Sequence, residues 1–200
     1  MELYEFDCKY RENFGIICGI DEAGRGPLAG DVFAAAVIFD ESTVIDGIND
    51  SKKLSAKKRE QLFDVIIQKA RAYCISTASI EEIESMNILN AAMLAMKRAV
   101  EGLEIKPECV LVDGNRLPDF EYNAKAVVKG DSLSQSIAAA SILAKVARDR
   151  YMEKLDGDFP QYQFSKHKGY GTKLHYEMLE KYGISPVHRL SFLKKLTGVK

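Results

Sequence analysis

Cysteine is scarce and badly spaced for cross-linking. The chain has four, at positions 8, 18, 74 and 109, with none in the close pairs that zinc sites use. Three of them sit in apolar, strand-like runs, the pattern of buried free thiols in a reducing compartment rather than of a disulfide framework or a zinc cluster. Long apolar runs are missing as well: Val32 to Phe39 and Ile137 to Ala144 are among the longest, well short of the roughly 20 residues that cross a bilayer. No basic-then-apolar leader opens the chain, so nothing argues for secretion, and a cytoplasmic protein with no membrane association is expected. Repeats and linker-like stretches are absent too. The 200 residues are therefore read as one domain, large enough for a substantial core.

Net charge is nearly absent, at −1, but it is unevenly spread. Residues 161–200 hold eight Lys/Arg against Glu177 and Glu180, so that segment carries +6 and the first 160 residues about −7. A second basic cluster runs from Lys52 to Arg59. Local basic patches on a near-neutral protein suit a polyanionic partner, with a solvated helix face as the ordinary alternative.

What is present organises itself around Gly15 to Gly30, GIICGIDEAGRGPLAG. Its apolar run, residues 16–20, reads as a buried strand that ends in two carboxylates, Asp21 and Glu22. Charges there are costly without a metal ion or a basic partner. Residues 1–14 read as a loose polar lead-in. A second strand over 32–39 follows so closely that an antiparallel pair is expected. Ser55 is an N-cap candidate for a helix to about Arg71. Tyr73 to Ser79 alternates like a strand, and Glu81 to Leu103 is helical in two parts broken near Asn87. Cys109 to Val112 is a short strand ending in Asp113, and Ala126 to Val128 another, leading to Gly130-Asp131. Ser132 and Gln135 form a capping-box pattern for an alanine-rich helix to about Leu155. A loop with Gly157, Pro160 and Gly169–Gly171 precedes a helix from about Lys173 to Tyr182, with a last short one expected over Leu190–Leu196. The order of elements gives an α/β protein with a sheet of mixed direction.

Four acids, Asp21, Glu22, Asp113 and Asp131, fall at element ends, where sites gather in open α/β sheets. Clustered carboxylates repel one another, and a hard divalent cation relieves that repulsion. The glycine turn is a poor dinucleotide loop, because a strand rather than a helix follows it and Pro27 lies within it. Gly130-Asp131-Ser132-Leu133 matches the nucleophile motif of GDSL esterases, but none of His167, His175 and His188 has an aspartate three residues before it, so that family's triad cannot be assembled. His167 to Thr172, HKGYGT, is a donor-rich loop around one aromatic, suited to nucleic-acid sugars and bases.

Together, Asp21 to Gly30 (DEAGRGPLAG), Asp50 to Ser55 (DSKKLS), Val112-Asp113-Gly114, Lys129-Gly130-Asp131 with its alanine-rich helix, and His167 to Thr172 resemble bacterial ribonuclease HII, the type 2 ribonuclease H, in the right order over about 15–195. Asp131 sets the chain apart from the sister type, ribonuclease HIII, whose fourth acid is glutamate. The resemblance implies a ribonuclease H-like mixed sheet flanked by helices, with residues from about 160 to 200 as a basic, helical C-terminal segment. It implies an endonuclease that hydrolyses the RNA strand of RNA–DNA hybrids and cuts 5′ of single ribonucleotides in duplex DNA. The reaction would be two-metal-ion hydrolysis leaving 3′-hydroxyl and 5′-phosphate ends. The metal ligands and catalytic residues would be Asp21, Glu22, Asp113 and Asp131, with Mn²⁺ or Mg²⁺ as the cofactor. Gly24, Arg25 and Gly26 would contact the ribose 2′-hydroxyl through backbone groups, Tyr170 would stack on the sugar, and Lys52 and Lys53 would hold phosphates. No obligate protein partner is expected, and a monomer is. The rivals are the GDSL-type serine esterase and a nucleic-acid-binding protein that keeps the fold without cutting.

Overall fold

The computed structural model describes residues 3–194. Its elements, in chain order, are helix α1 (Leu3–Phe14), strands β1 (Ile17–Ala23) and β2 (Val32–Ile38), helix α2 (Ala56–Lys69), strand β3 (Ala72–Ala78), helices α3 (Ile80–Met86) and α4 (Ile88–Glu101), strands β4 (Cys109–Asp113) and β5 (Ala124–Val127), and helices α5 (Gln135–Asp158), α6 (Phe164–His167) and α7 (Lys173–Tyr182). The five strands form one mixed sheet in the order β3-β2-β1-β4-β5. β1, β2 and β3 pair antiparallel, whereas β1, β4 and β5 run parallel.

The period of two along the strands divides the core. Cys18, Ile20, Ala34, Ala36, Val110 and Val112 face α3 and α4, where Ile83, Ala91, Ala95, Met96 and Ala99 meet them. Ala35 and Val37 face α2 and α5 on the other side, and Ile17, Cys109 and Leu111 pack there against Ile137 and the aromatic face of α1. The alanines of α5 let it lie close to the sheet. At the closest point there is no side chain at all, since a Cβ on Gly19 would stand 2.2 Å from the carbonyl carbon of Ser136. The helical C-terminal part is held by its own apolar cluster, in which Leu28, Met152, Leu155, Tyr162, Phe164 and Leu179 are buried together.

Three readings of the sequence need correction. Residues 3–14 are not a loose lead-in: α1 presents Phe6, Tyr10 and Phe14, four residues apart, to the β1–β4 side of the core. Its fully buried Asp7 accepts hydrogen bonds from Ser134 Oγ (2.6 Å), Ser136 N (2.8 Å) and Ser136 Oγ (2.6 Å), which ties α1 to the first turn of α5. Nor does α5 start on Ser132. Residues Gly130–Ser132 close a 3₁₀ turn on themselves, so Ser134 is the cap, accepting from Ile137 N at 3.2 Å. Gln135 is instead used to hold the backbone of Thr43 and Ile45. The break near Asn87 is real: Asn87 has φ +70° and caps α4 by accepting from Leu89 N and Asn90 N. The expected last helix is a 3₁₀ turn over Leu190–Phe192, and the remainder of the expected span beyond residue 194 lies outside the described residues. The four cysteines are free; Cys18 and Cys109 are buried, while Cys8 and Cys74 are partly so.

Candidate active site

Three parallel strands deliver their carboxyl ends to one edge of the sheet. β1 and β4 pair with Ile20 opposite Val112, so the next residues, Asp21 and Asp113, emerge side by side. β5, parallel to β4, leads into Lys129, whose left-handed backbone (φ +58°) turns the chain into Gly130 and Asp131. Gly130 N donates to Asp113 Oδ1 at 2.6 Å, and a Cβ there would stand 2.5 Å from Ile137 Cδ1, which would have to move aside. Asp21, Glu22, Asp113, Gly24, Arg25, Gly26, Lys52 and Tyr170 line one cavity of about 240 Å³. Asp131 joins through Lys52, whose Nζ is 3.6 Å from Asp131 Oδ2. Lys53 does not line this cavity; its Nζ lies near Ser132 Oγ (3.3 Å) and Asp50 Oδ2 (3.9 Å).

Three of the acids, Asp21, Asp113 and Asp131, are poised against ionisation. Burial raises Asp21 well above the ordinary carboxylate range, and the neighbouring charges of Glu22 and Asp113 push it further. Burial likewise raises Asp113 and Asp131, with Glu22 adding to the first and with Asp113 and Asp50 adding to the second. Lys52 is raised despite its own partial burial, because Asp131, Asp21, Asp50 and Asp113 all stabilise its charge. This is a set of oxygen donors short of positive charge, which fits hard divalent cations such as Mg²⁺ or Mn²⁺. Among the described residues no three His, Cys, Asp or Glu side chains stand as a cage around one point. Each carboxylate is turned to a protein donor instead: Asp21 accepts from Glu22 N (2.7 Å), Glu22 from Arg25 Nη1 (3.1 Å), Asp113 from Gly130 N, and Asp131 faces Lys52.

Some residues of the site carried no signal of their own in the sequence. Ser141 and Lys145 line the same cavity, beside Ser51 of the DSKKLS motif. The hydroxyls of Ser51 and Ser141 are 2.9 Å apart, and Ser141 hydrogen-bonds Asp21. Lys145 reaches the cavity from α5 at the spacing that pairs it with Asp149, 2.5 Å away. Two guanidiniums hold the loops above. Arg189 is fully buried and donates to the carbonyls of Gly24 (2.8 Å), Arg25 (3.2 Å), Pro27 (2.9 Å) and Gly30 (2.8 Å). Arg148, also buried, donates to Ala29 O (3.1 Å) and Lys168 O (3.0 Å), with its guanidinium carbon 5.9 Å from the centre of the Tyr170 ring. Burial and the charge of Arg148 bring Arg189 down to about 9.

The Tyr170 loop rests on the three histidines, whose hydrogen bonds assign their tautomers. His175 Nδ1 donates to Tyr170 O (3.0 Å), which leaves its Nε2 to accept from His188 Nε2 at 3.0 Å. His188 Nδ1 then accepts from Ser185 N and from the Ser185 hydroxyl. His167 Nε2 donates to Tyr162 O, and its Nδ1 accepts from Gly169 N. All three are satisfied as neutral rings, and burial brings His175 and His188 down to about 4. With every ring nitrogen so engaged, no histidine hydrogen-bonds Ser132, and no esterase triad forms. Tyr170 itself is 43% exposed and sits beside Gly26, where a Cβ would lie 3.7 Å from the ring.

Comparison with known proteins places the sequence and the fold. Residues 18–195 match the family model described as Ribonuclease HII. The chain is 55% identical over 188 residues to Ribonuclease HII of Caldicellulosiruptor bescii, covering 94% of this chain and 91% of that one. It is 60% identical over 178 residues to Ribonuclease HII of Albidiferax ferrireducens, covering 89% and 86%. Among solved structures, ribonuclease H2 from Pyrococcus horikoshii superposes with a TM-score of 0.76 at 28% identity, covering 92% of this chain and 97% of that chain.

Proposed function

The chain belongs to the ribonuclease HII family, endonucleases acting on the RNA of RNA–DNA hybrids; on that premise we propose that it also cuts 5′ of single ribonucleotides embedded in duplex DNA, with Asp21, Glu22, Asp113 and Asp131 holding two divalent cations. The observation that carries this reading is the convergence of Asp21, Glu22 and Asp113 in one cavity with Gly24–Gly26 and Tyr170, so that acid chemistry and a sugar-sized contact share a single space. Bound Mn²⁺ or Mg²⁺ supplies Lewis-acid charge and lowers the pKa of water enough for hydrolysis.

The chain's own residues do the positioning. Glu22 N and Ser141 hold Asp21, and Gly130 N holds Asp113. Lys52 brings positive charge to the scissile phosphate and strengthens binding in a salt-dependent way. The peptides of Gly24–Gly26 read the 2′-hydroxyl, which only a ribonucleotide offers. Tyr170 stacks on the adjoining sugar, and Gly26 leaves it the room to do so. Catalysis is then positioning plus charge stabilisation without a covalent intermediate, and the products carry 3′-hydroxyl and 5′-phosphate ends. Lys168 contributes less than its sequence suggests, since it is paired with Glu153 at 2.8 Å.

The test is a labelled duplex with one ribonucleotide, incubated with Mn²⁺ or Mg²⁺, with and without excess chelator. A single cut 5′ of the ribonucleotide that chelator abolishes is expected. Cutting that persists in chelator, or a cut on the 3′ side, contradicts the proposal.

A further inference from the structure

We propose that Arg189 and Arg148 are positioning residues for ribose selectivity: the first orients the peptides of the glycine loop, and the second fixes that loop's distance from Tyr170. The inference rests on the reading of Gly24–Gly26 and Tyr170 given above and extends it to two residues far from them in sequence.

Two buried cations so close together are costly unless compensated. Among the described residues neither forms an ion pair within 4 Å; the Asp31 carboxylate nearby favours both charges, but the hydrogen bonds of both go mainly to main-chain carbonyl oxygens. Apolar side chains would fill this space at lower cost, so the arrangement is not explained by packing alone. Its geometric consequence is specific. In a trans peptide the N–H points opposite to the C=O. The Gly24 and Arg25 carbonyls are drawn to Arg189, so the N–H groups of Arg25 and Gly26 are turned away from it, and neither donates to an acceptor among the described residues. Both residues line the catalytic cavity. Arg189 thus holds two unspent donors in the orientation that a hydroxyl needs.

Arg148 sets the second dimension. Its Nη2 binds Ala29 in the glycine loop and its Nη1 binds Lys168 in the Tyr170 loop, a bridge reinforced by Leu28 N donating to Gly169 O at 2.8 Å. It also excludes any side chain at position 24, where a Cβ would stand 2.2 Å from Arg148 Nε, and Gly24 has φ +101°. A shift of about 1 Å between two such contacts is enough to lower a rate on the order of 100-fold.

The experiment compares wild type, Arg189→Lys and Arg148→Lys on three otherwise identical duplexes whose single junction sugar carries 2′-hydroxyl, 2′-fluoro or 2′-hydrogen. Cleavage rate and duplex affinity are measured separately, and folding is checked by circular dichroism. Wild type should cut the 2′-hydroxyl duplex at least 100-fold faster than the other two. If it cuts all three alike, the assignment of ribose reading to this site fails, whatever the arginines do. If wild type discriminates, each folded variant should lose at least 30-fold in rate on the 2′-hydroxyl duplex, with less than threefold change in affinity and a reduced preference over 2′-fluoro. A folded variant that keeps full preference, or that loses affinity in step with rate on every duplex, overturns the proposal. The two substitutions are independent, so either one suffices if the other does not fold.

Discussion

Acid should weaken this protein through the histidines beneath the Tyr170 loop. His175 and His188 share one proton across a 3.0 Å contact, and a second proton there would set two N–H groups against each other in a buried place. Both are brought down to about 4 from an ordinary 6.5. The folded protein therefore binds fewer protons than the unfolded chain between those values. Stability is fully present above pH 6.5 and is lost as pH falls towards 4. At pH 5 the loss from His188 alone is about 2 kcal/mol. The raised acids Asp7, Asp21, Asp31, Asp113 and Asp131 act in the opposite sense, since the folded state takes up their protons first. A double difference removes them. Urea unfolding of wild type and His188→Gln at pH 7.5 and pH 5 should show the stability gap between them shrinking by about 2 kcal/mol at the lower pH, because glutamine has no proton to exclude. A gap that stays constant would refute the neutral-pair assignment, as would ring NMR titrations placing both histidines near 6.5.

Three further outcomes follow from packing and contact. Asp7→Ala leaves the Ser134 and Ser136 groups without their buried acceptor and should cost about 2 kcal/mol in urea unfolding; a cost below about 0.5 would mean that α1 is not tied to α5 as described. Gly19→Ala drives a Cβ into the backbone of Ser136 and Ile137, and should cost about 1–3 kcal/mol by calorimetry while slowing cleavage at least tenfold, because β1 and α5 both feed the site. Wild-type stability and rate in that variant would show that the two elements do not meet so closely. Tyr170→Ala should lower cleavage at single ribonucleotides far more than it lowers duplex affinity, read by a rate assay beside a binding titration; equal losses would remove its proposed role.

The site was more legible in the sequence than its supports were. Asp21, Glu22 and Asp113 stood out because each ends an apolar run, and a parallel pairing of β1 with β4 then brings two of them together. Gly24–Gly26 and Tyr170 stood out as part of recognisable motifs. Arg148 and Arg189 did not, because an arginine that binds carbonyls has no partner residue type to mark it, and burial depends on loops distant in sequence. Ser141 and Lys145 were hidden within an alanine-rich helix that read only as a packing surface. The α1 helix is masked in the sequence by its many polar residues, although Phe6, Tyr10 and Phe14 keep helical spacing. The start of α5 was misplaced for a local reason: Gly130 allows the chain to close a 3₁₀ turn before the helix begins.

The proposed cation-holding centre of Asp21, Glu22, Asp113 and Asp131 stands or falls with the rate at which Asp21→Asn cuts a duplex containing one ribonucleotide, measured in saturating Mn²⁺ beside wild type. Asparagine keeps the shape and removes the charge at a buried acid, so the expected loss is at least about 100-fold, on the order of the effect of removing a transition-state charge contact. A folded variant that cuts within tenfold of wild type would contradict it.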